Sequence, residues 1–185
     1  RPQTPLITGE LPEEARKEIE RIATEKGAPW TVADPGSVKL NCDGLLEMDG
    51  IQGAFQAPAI RGPGIRADLA ISIALYRTVL KNLDKQLDTI QLRSALEDLR
   101  LPARIEVFPG PPICCLDTAH TPESIKSLRQ TLEEIDFPQP RALILSLSTD
   151  KRREEILAEA GGIADEIIFT RADETRSVDP QELRD

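Results

Sequence analysis

The sequence predicts an α/β protein whose C-terminal part is a doubly wound, mostly parallel sheet flanked by helices. Three observations predict it. From residue 104 onward, short apolar runs alternate with amphipathic stretches, an order that implies helical crossovers between parallel strands. The first hundred residues also mix strand-like and helix-like patterns, but in a different order. Hydrophobic residues make up 39% of the 185 and charged residues 30%, which supplies enough apolar side chain for one or two small cores.

Residues 5–8 read as a short strand ended by Gly9. Leu11-Pro12-Glu13-Glu14 then opens a helix, with proline and two acids where the first turn leaves N–H groups unpaired and the dipole is positive. Apolar Ala15, Ile19, Ile22 and Ala23 recur at spacings of three and four, and Gly27 stops this helix near residue 26. Residues 29–32 read as a strand. Residues 38–42 and 51–55 read as a hairpin around the Asp43-Gly44 and Asp49-Gly50 turns. After Arg61-Gly62-Pro63-Gly64, the spacing of Leu69, Ala70, Ile73, Ala74, Tyr76 and Leu80 predicts a helix over 66–80, and a second helix over 87–99 ends before Pro102. Strands are then expected over 104–108, 113–116, 142–146 and 166–170, with helices over 122–135 and 152–160. The proline-bearing joint at 99–102 marks a boundary between two domains, 1–99 and 100–185.

Composition excludes several classes of function. Net charge is −9 with acids and bases interspersed, and aromatics are 3%, so neither a phosphate-neutralising face nor a base-stacking platform is expected. Nucleic acid is therefore not an expected partner. Cys42, Cys114 and Cys115 are an odd count, and the adjacent pair lies in an apolar run; they read as small core residues rather than disulfide partners or zinc ligands. No stretch reaches the roughly 18 apolar residues that span a bilayer, and no signal-peptide pattern is present, so a cytoplasmic protein without a membrane partner is expected. The chain opens on Arg1-Pro2 without an initiator methionine, which suggests that further sequence lay upstream.

The string Leu116-Asp117-Thr118-Ala119-His120-Thr121-Pro122-Glu123-Ser124 carries the most chemistry. It puts a carboxylate and the only histidine at the carboxyl end of an expected buried strand, the edge at which open α/β sheets bind ligands. Thr121 can cap the following helix and Pro122 suits its first turn, so the loop should be stiffly held. From spacing alone, His120 reads equally as a loop histidine bonding backbone, and Asp117 as a turn former.

Asp117-Thr118-Ala119-His120-Thr121-Pro122 resembles the Asp-x-Ala-His-Asn/Thr-Pro signature of folylpolyglutamate and dihydrofolate synthases and their relatives, the Mur ligases. Leu101-Pro102-Ala103-Arg104-Ile105-Glu106-Val107 resembles the family's Pro-Gly-Arg-hydrophobic-Glu strand, with Ala103 in the glycine place. Ser148-Thr149-Asp150-Lys151 resembles its Ser-x-Asp-Lys-Asp segment, with Arg152 where an acid is usual. Arg176-Ser177-Val178-Asp179-Pro180-Gln181-Glu182-Leu183 resembles a closing Arg-Ala/Ser-x-x-Pro-x-x-Leu segment. Residues 1–29, with their Gly-Ala-Pro turn, resemble part of the central domain, and Ile60-Arg61-Gly62-Pro63-Gly64-Ile65-Arg66-Ala67-Asp68-Leu69-Ala70 resembles its Leu-x-Gly-x-His-Gln-x-x-Asn helix start. The folate branch is favoured over the Mur branch because the region after Leu145 lacks a Gly-Gly-Asp-Arg-Asp run.

The resemblance implies that residues 1–99 are an incomplete piece of the central ATPase-type ligase domain and residues 100–185 a Rossmann-like C-terminal domain. It implies ATP and magnesium as cofactors, folate and glutamate as further partners, and an acyl phosphate attacked by the glutamate amine. Arg104, Asp117 and His120 would be ATP-binding residues, Arg104 toward phosphate and Asp117 toward ribose, since a planar cation suits phosphate oxygens and an anion suits sugar hydroxyls. Asp68, Ser148, Asp150 and Lys151 would be further substrate or nucleotide contacts. Asp68 reads alternatively as a helix N-terminal acid, and Asp150-Lys151 as a solvated helix start.

The departures are specific. No Gly-x-x-x-x-Gly-Lys-Ser/Thr phosphate loop occurs in the chain, and the family's magnesium ligands and carbamylated lysine would lie outside it, so no catalytic residue and no metal ligand is expected here. Gly64-Ile65 replaces the His-Gln pair, and Asp68 the asparagine. The Gly62-Pro63-Gly64 run matches a dinucleotide fingerprint only superficially, because the residue pattern shows no clear βαβ unit leading into it. Two other readings stay open: a noncatalytic binding module derived from the same fold, and a Mur-type peptidoglycan ligase.

Overall fold

The computed structural model describes residues 2–183, so Arg1, on which the expectation of upstream sequence rests, lies outside the described residues. The chain divides between Arg100 and Leu101 into two compact units. Both are α/β.

In the N-terminal unit, β1 (Leu6–Thr8) pairs in parallel with β2 (Trp30–Val32), and α1 (Glu13–Glu25) is the crossover between them. The Trp30 indole donates to Thr8 Oγ1 at 3.1 Å and so fixes the register across the pair. A 3-10 turn, Pro35–Ser37, is capped by Asp34, whose carboxylate accepts from the Gly36 N–H. It leads into β3 (Val38–Leu40), which pairs antiparallel with β4 (Leu46–Met48). α2 (Gly62–Asn82) and α3 (Thr89–Glu97) complete the unit. Its core gathers Val38, Leu46, Met48, Phe55, Ile60, Leu69, Ala70, Ile73 and Leu96.

Two details differ from the sequence reading. The second hairpin strand is Leu46–Met48 rather than 51–55, and Phe55 meets it only through a bridge to Leu46. The reason is local. The Asn41 side chain accepts from the N–H groups of Asp43 and Leu45 at 2.9 and 3.0 Å, closing a tight turn that starts the return strand early. α2 begins at Gly62, four residues before the expected start, because Pro63 in the first turn is preset for helix and costs no donor.

In the C-terminal unit, β5 (Glu106–Phe108) pairs antiparallel with β6 (Cys114–Leu116). The five residues between them are too few for a parallel crossover, so here the strands form a hairpin rather than neighbours in a parallel sheet. α4 (Pro122–Glu134) follows, then β7 (Ala142–Leu145), α5 (Arg153–Ala160) and β8 (Glu166–Phe169), with β7 and β8 parallel and α5 as the crossover. The described strands pair two by two. Ile125, Leu128 and Leu132 of α4 and Ile156 and Ala160 of α5 form the core with Leu145, Leu147, Ile163 and Val178.

The period of two along the strands sorts the cysteines, and it corrects the expectation of buried thiols. Cys115 turns toward this core and is half-buried, whereas Cys114 and Cys42 are exposed. Leu116 is 51% exposed, so the strand ahead of Asp117 is covered on one face only, not buried on both. Among the described residues, no helix is long and apolar enough to cross a membrane.

Candidate functional site

The candidate site is built where β6 and β7 run out into loops at their carboxyl ends. Beyond β6 the chain must turn from extended to helical within five residues, and side chains supply the missing hydrogen bonds. Thr121 is the N-cap of α4. Its hydroxyl accepts from the Ser124 N–H at 3.2 Å, and Ser124 Oγ in return accepts from the Thr121 and His120 N–H groups, each at 2.9 Å. Serine thus does what glutamate does in the usual capping box.

Asp117 stitches this loop to the segment that leads into β5. Its Oδ1 accepts from the Ala119 N–H at 2.7 Å and its Oδ2 from the Ile105 N–H at 2.9 Å. The Thr118 N–H donates to the Ala103 carbonyl at 3.1 Å. Both Ala103 and Ile105 sit at positive φ, 54° and 52°, a region that costs side-chain-bearing residues energy and β-branched ones most. Between them lies Arg104. Its side chain is exposed and has no ion pair or hydrogen bond among the described residues.

His120 is exposed and its Nδ1 lies 2.9 Å from the Thr118 carbonyl. A carbonyl only accepts, so Nδ1 must carry the proton and Nε2 is the ring nitrogen left for a ligand. Asp117 retains lone pairs beyond the two already used, since an ionised carboxylate offers about four acceptor positions. Arg104, Asp117 and His120 therefore belong to one stitched pair of loops, an arrangement that spacing alone did not reveal.

The loop after β7 carries the other expected residues. Ser148 bridges to Ser177, Lys151 N–H donates to the Ser148 carbonyl at 3.2 Å, and the Lys151 ammonium lies 3.5 Å from the Asp150 carboxylate. The two loops are tied by Glu123 on α4 and Arg152, just before α5. Arg152 Nη2 donates to both Glu123 oxygens, at 2.6 and 2.9 Å. The hydrogen bond from Arg152 holds the Glu123 carboxyl below the ordinary glutamate range and raises the guanidinium in turn. Arg152 thus has a partner on the neighbouring loop.

A cleft of about 290 Å³ opens beside this loop, lined by Thr149, Arg153, Arg171, Ser177, Asp179 and Glu182. Both of its arginines are paired, Arg171 with Asp179 and Arg153 with Glu182, the latter at 3.4 Å. Asp173 organises the loop above it. Its carboxylate accepts from the Thr175 hydroxyl and from the Thr175 and Arg176 N–H groups at 2.7 to 2.8 Å, and these bonds hold its carboxyl below the usual aspartate range.

Asp68 belongs to the N-terminal unit. It is exposed on α2, and because that helix starts at Gly62, Asp68 lies past the first turn; the reading of it as a helix N-terminal acid is corrected. Three side chains outside the expected set matter: Glu106, whose Oε2 accepts from the Ala103 N–H at 2.8 Å, and Glu123 and Arg152, which pair with each other. Glu106 stood in the motif that places Arg104, but nothing in the motif says where its carboxylate reaches. Among the described residues, no three histidine, cysteine, aspartate or glutamate side chains are grouped to hold a metal.

Residues 103–185 match the family described as Mur ligase, glutamate ligase domain. The chain is 26% identical over 155 residues to the folylpolyglutamate synthase of Lacticaseibacillus casei, covering 80% of this chain and 36% of that protein. It is 32% identical over 102 residues to the dihydrofolate synthase/folylpolyglutamate synthase of Mycobacterium tuberculosis, covering 54% of this chain and 20% of that protein. Among solved structures, the Mycobacterium tuberculosis folylpolyglutamate synthase complexed with ADP and AMPPCP matches with a TM-score of 0.80 at 21% identity, over 97% of this chain and 41% of that one. A folylpolyglutamate synthase–AMPPCP–folate complex gives 0.76 at 22%, over 97% and 45%. A bifunctional enzyme with Mn, AMPPNP and L-glutamate bound gives 0.71 at 22%, over 99% and 43%. At these identities the structural likeness speaks to the fold. The chain spans well under half the length of the relatives it matches.

Proposed function

We propose, on the premise that this chain corresponds to the C-terminal portion of the folylpolyglutamate synthase family, that it is part of an ATP-dependent ligase joining L-glutamate to a folate. In that reaction a substrate carboxylate takes the γ-phosphoryl group of ATP, ADP leaves, and the glutamate amine attacks the acyl phosphate to form the amide and release phosphate. ATP with a divalent metal, magnesium in the cell, would be the cofactor set. A cytoplasmic place in folate and one-carbon metabolism follows from the same reading.

The residues on this chain act as binding groups. The unpaired guanidinium of Arg104 suits nucleotide phosphate oxygens, since it is a planar cation with no competing partner among the described residues. The free lone pairs of Asp117 suit ribose hydroxyls, and His120, exposed on the same loop, keeps Nε2 for a ligand while Nδ1 is engaged by the Thr118 carbonyl. Ser148, Asp150 and Lys151 stand on the adjoining loop as further contacts, and Asp68 is a contact proposed from the N-terminal unit. No metal ligand and no catalytic residue is assigned to this chain. The stretch 1–99 is read as the end of the central ligase domain.

The observation that carries this reading is the unpaired Arg104 held at the loop stitched by Asp117. The test is ATP affinity in the full-length protein. Arg104→Ala should raise the KM for ATP about tenfold or more, the order expected for losing a hydrogen bond to a charged group. An unchanged value removes Arg104 from the nucleotide site.

A further inference from the structure

The segment in front of β5 holds two side-chain-bearing residues in the left-handed region, Ala103 and Ile105, with φ of 54° and 52°. Such a conformation persists only where the surroundings over-determine it, and strain of this kind is concentrated at functional sites. Every N–H of the segment has a partner. Ala103 donates to Glu106 Oε2 at 2.8 Å, Arg104 to the Leu101 carbonyl at 3.2 Å, and Ile105 to Asp117 Oδ2 at 2.9 Å. The Ala103 carbonyl accepts from the Thr118 N–H at 3.1 Å. With its backbone donors consumed, the segment cannot bind an anion through main-chain amides. What it offers a ligand is the Arg104 side chain.

Glu106 and Asp117 approach this segment from two strands, β5 and the end of β6. Asp117 has a second duty in its own loop, through Ala119. Among the described residues, the carboxylate of Glu106 makes one hydrogen bond, to the residue immediately before Arg104. Ile105, immediately after Arg104, is buried in the core at 8% exposure, which anchors the other side. Arg104 thus projects from a backbone clamped on both flanks, and a long flexible side chain loses less entropy on binding when its base is fixed.

We infer that Glu106 is a positioning residue for the nucleotide: by holding Ala103 in the left-handed conformation it sets the direction in which Arg104 meets phosphate. The role rests on the nucleotide reading of Arg104 given above. Glu106 touches no substrate in this scheme. It acts through the Ala103 N–H alone. A glycine at position 103 reaches positive φ without the penalty that alanine carries, so it would need the carboxylate less.

The experiment is a double-mutant cycle in the full-length protein, reading the KM for ATP, the KM for glutamate and kcat. Glu106→Ala should raise the KM for ATP about tenfold while the KM for glutamate stays within about twofold. Glu106→Gln, which keeps an acceptor oxygen, should restore most of the affinity, as should Ala103→Gly placed on the Glu106→Ala background. In a protein already carrying Arg104→Ala, the Glu106→Ala change should have little further effect on ATP. If Glu106→Ala weakens ATP equally with or without Arg104, or moves the KM for glutamate in step, the positioning role is wrong while the nucleotide reading stands. If Arg104→Ala itself leaves the KM for ATP unchanged, the nucleotide reading falls and this inference with it. Should Glu106→Ala fail to fold, Glu106→Asp makes the same measurement, because its shorter stem withdraws the oxygen from Ala103; unchanged ATP affinity there overturns the proposal.

Discussion

Arg152 and Glu123 stand 29 residues apart in sequence, yet one guanidinium nitrogen meets both carboxylate oxygens, at 2.6 and 2.9 Å. This contact joins the starts of α4 and α5 and so ties together the two strand-end loops that hold the candidate ligand residues.

Glu123 should titrate below the ordinary glutamate range of about 4.3, because the Arg152 hydrogen bond favours its charged form. A carboxyl depressed in the folded state adds stability above its unfolded pKa, and that contribution is lost as pH falls through the lowered folded value. The tie therefore holds at neutral pH and loosens in acid. Following the Glu123 side-chain carboxyl by NMR should show the depressed midpoint, and Arg152→Ala should move it upward. A midpoint insensitive to Arg152 would mean that the pair does not form in solution.

Thr121→Ala should destabilise the C-terminal unit by about 1 kcal/mol, since the hydroxyl caps the Ser124 N–H at the start of α4. Hydrogen exchange of the first-turn amides of α4 reads the loss directly. Thr121→Ser should retain most of the stability, and equal losses in both variants would assign the effect to packing of the methyl group.

His120 should be found as the Nδ1–H tautomer whenever its ring is neutral, because Nδ1 faces the Thr118 carbonyl at 2.9 Å. Nitrogen-15 chemical shifts of the imidazole distinguish the two tautomers. A dominant Nε2–H form would show that this hydrogen bond is absent, and would give Nε2 a donor's rather than an acceptor's role toward a ligand.

Ile156→Ala should cost about 2 to 5 kcal/mol, because Ile156 is 0% exposed and sits between α4 and the strands. Ile144→Ala, at a position 69% exposed on the opposite face of β7, should stay within about 0.5 kcal/mol. The free energy of global opening, from hydrogen exchange of α4 and α5 core amides, compares the two. Similar losses at both positions would mean that the outer face of β7 is covered.

The amino-acid sequence determined by itself the elements whose signal is local. α1, α4 and α5 lie close to where apolar spacing and caps put them, because a helix reads its own period over as few as two turns. It also determined which side chains to suspect, as Arg104, Asp117 and His120 stand in short ordered strings. Partnership across the chain was decided only by the tertiary structure. Alternation along β6 exposes Cys114 and turns Cys115 inward, and the short loop before it makes the β5–β6 pairing antiparallel. The left-handed Ala103 and Ile105, the reach of Glu106 back to Ala103, and the meeting of Glu123 with Arg152 each depend on where two strand ends and two helix starts come to rest. A carboxylate's chemistry is written in its residue type, but the donor it finds is a matter of distance, and distance between remote residues exists only once the chain has folded.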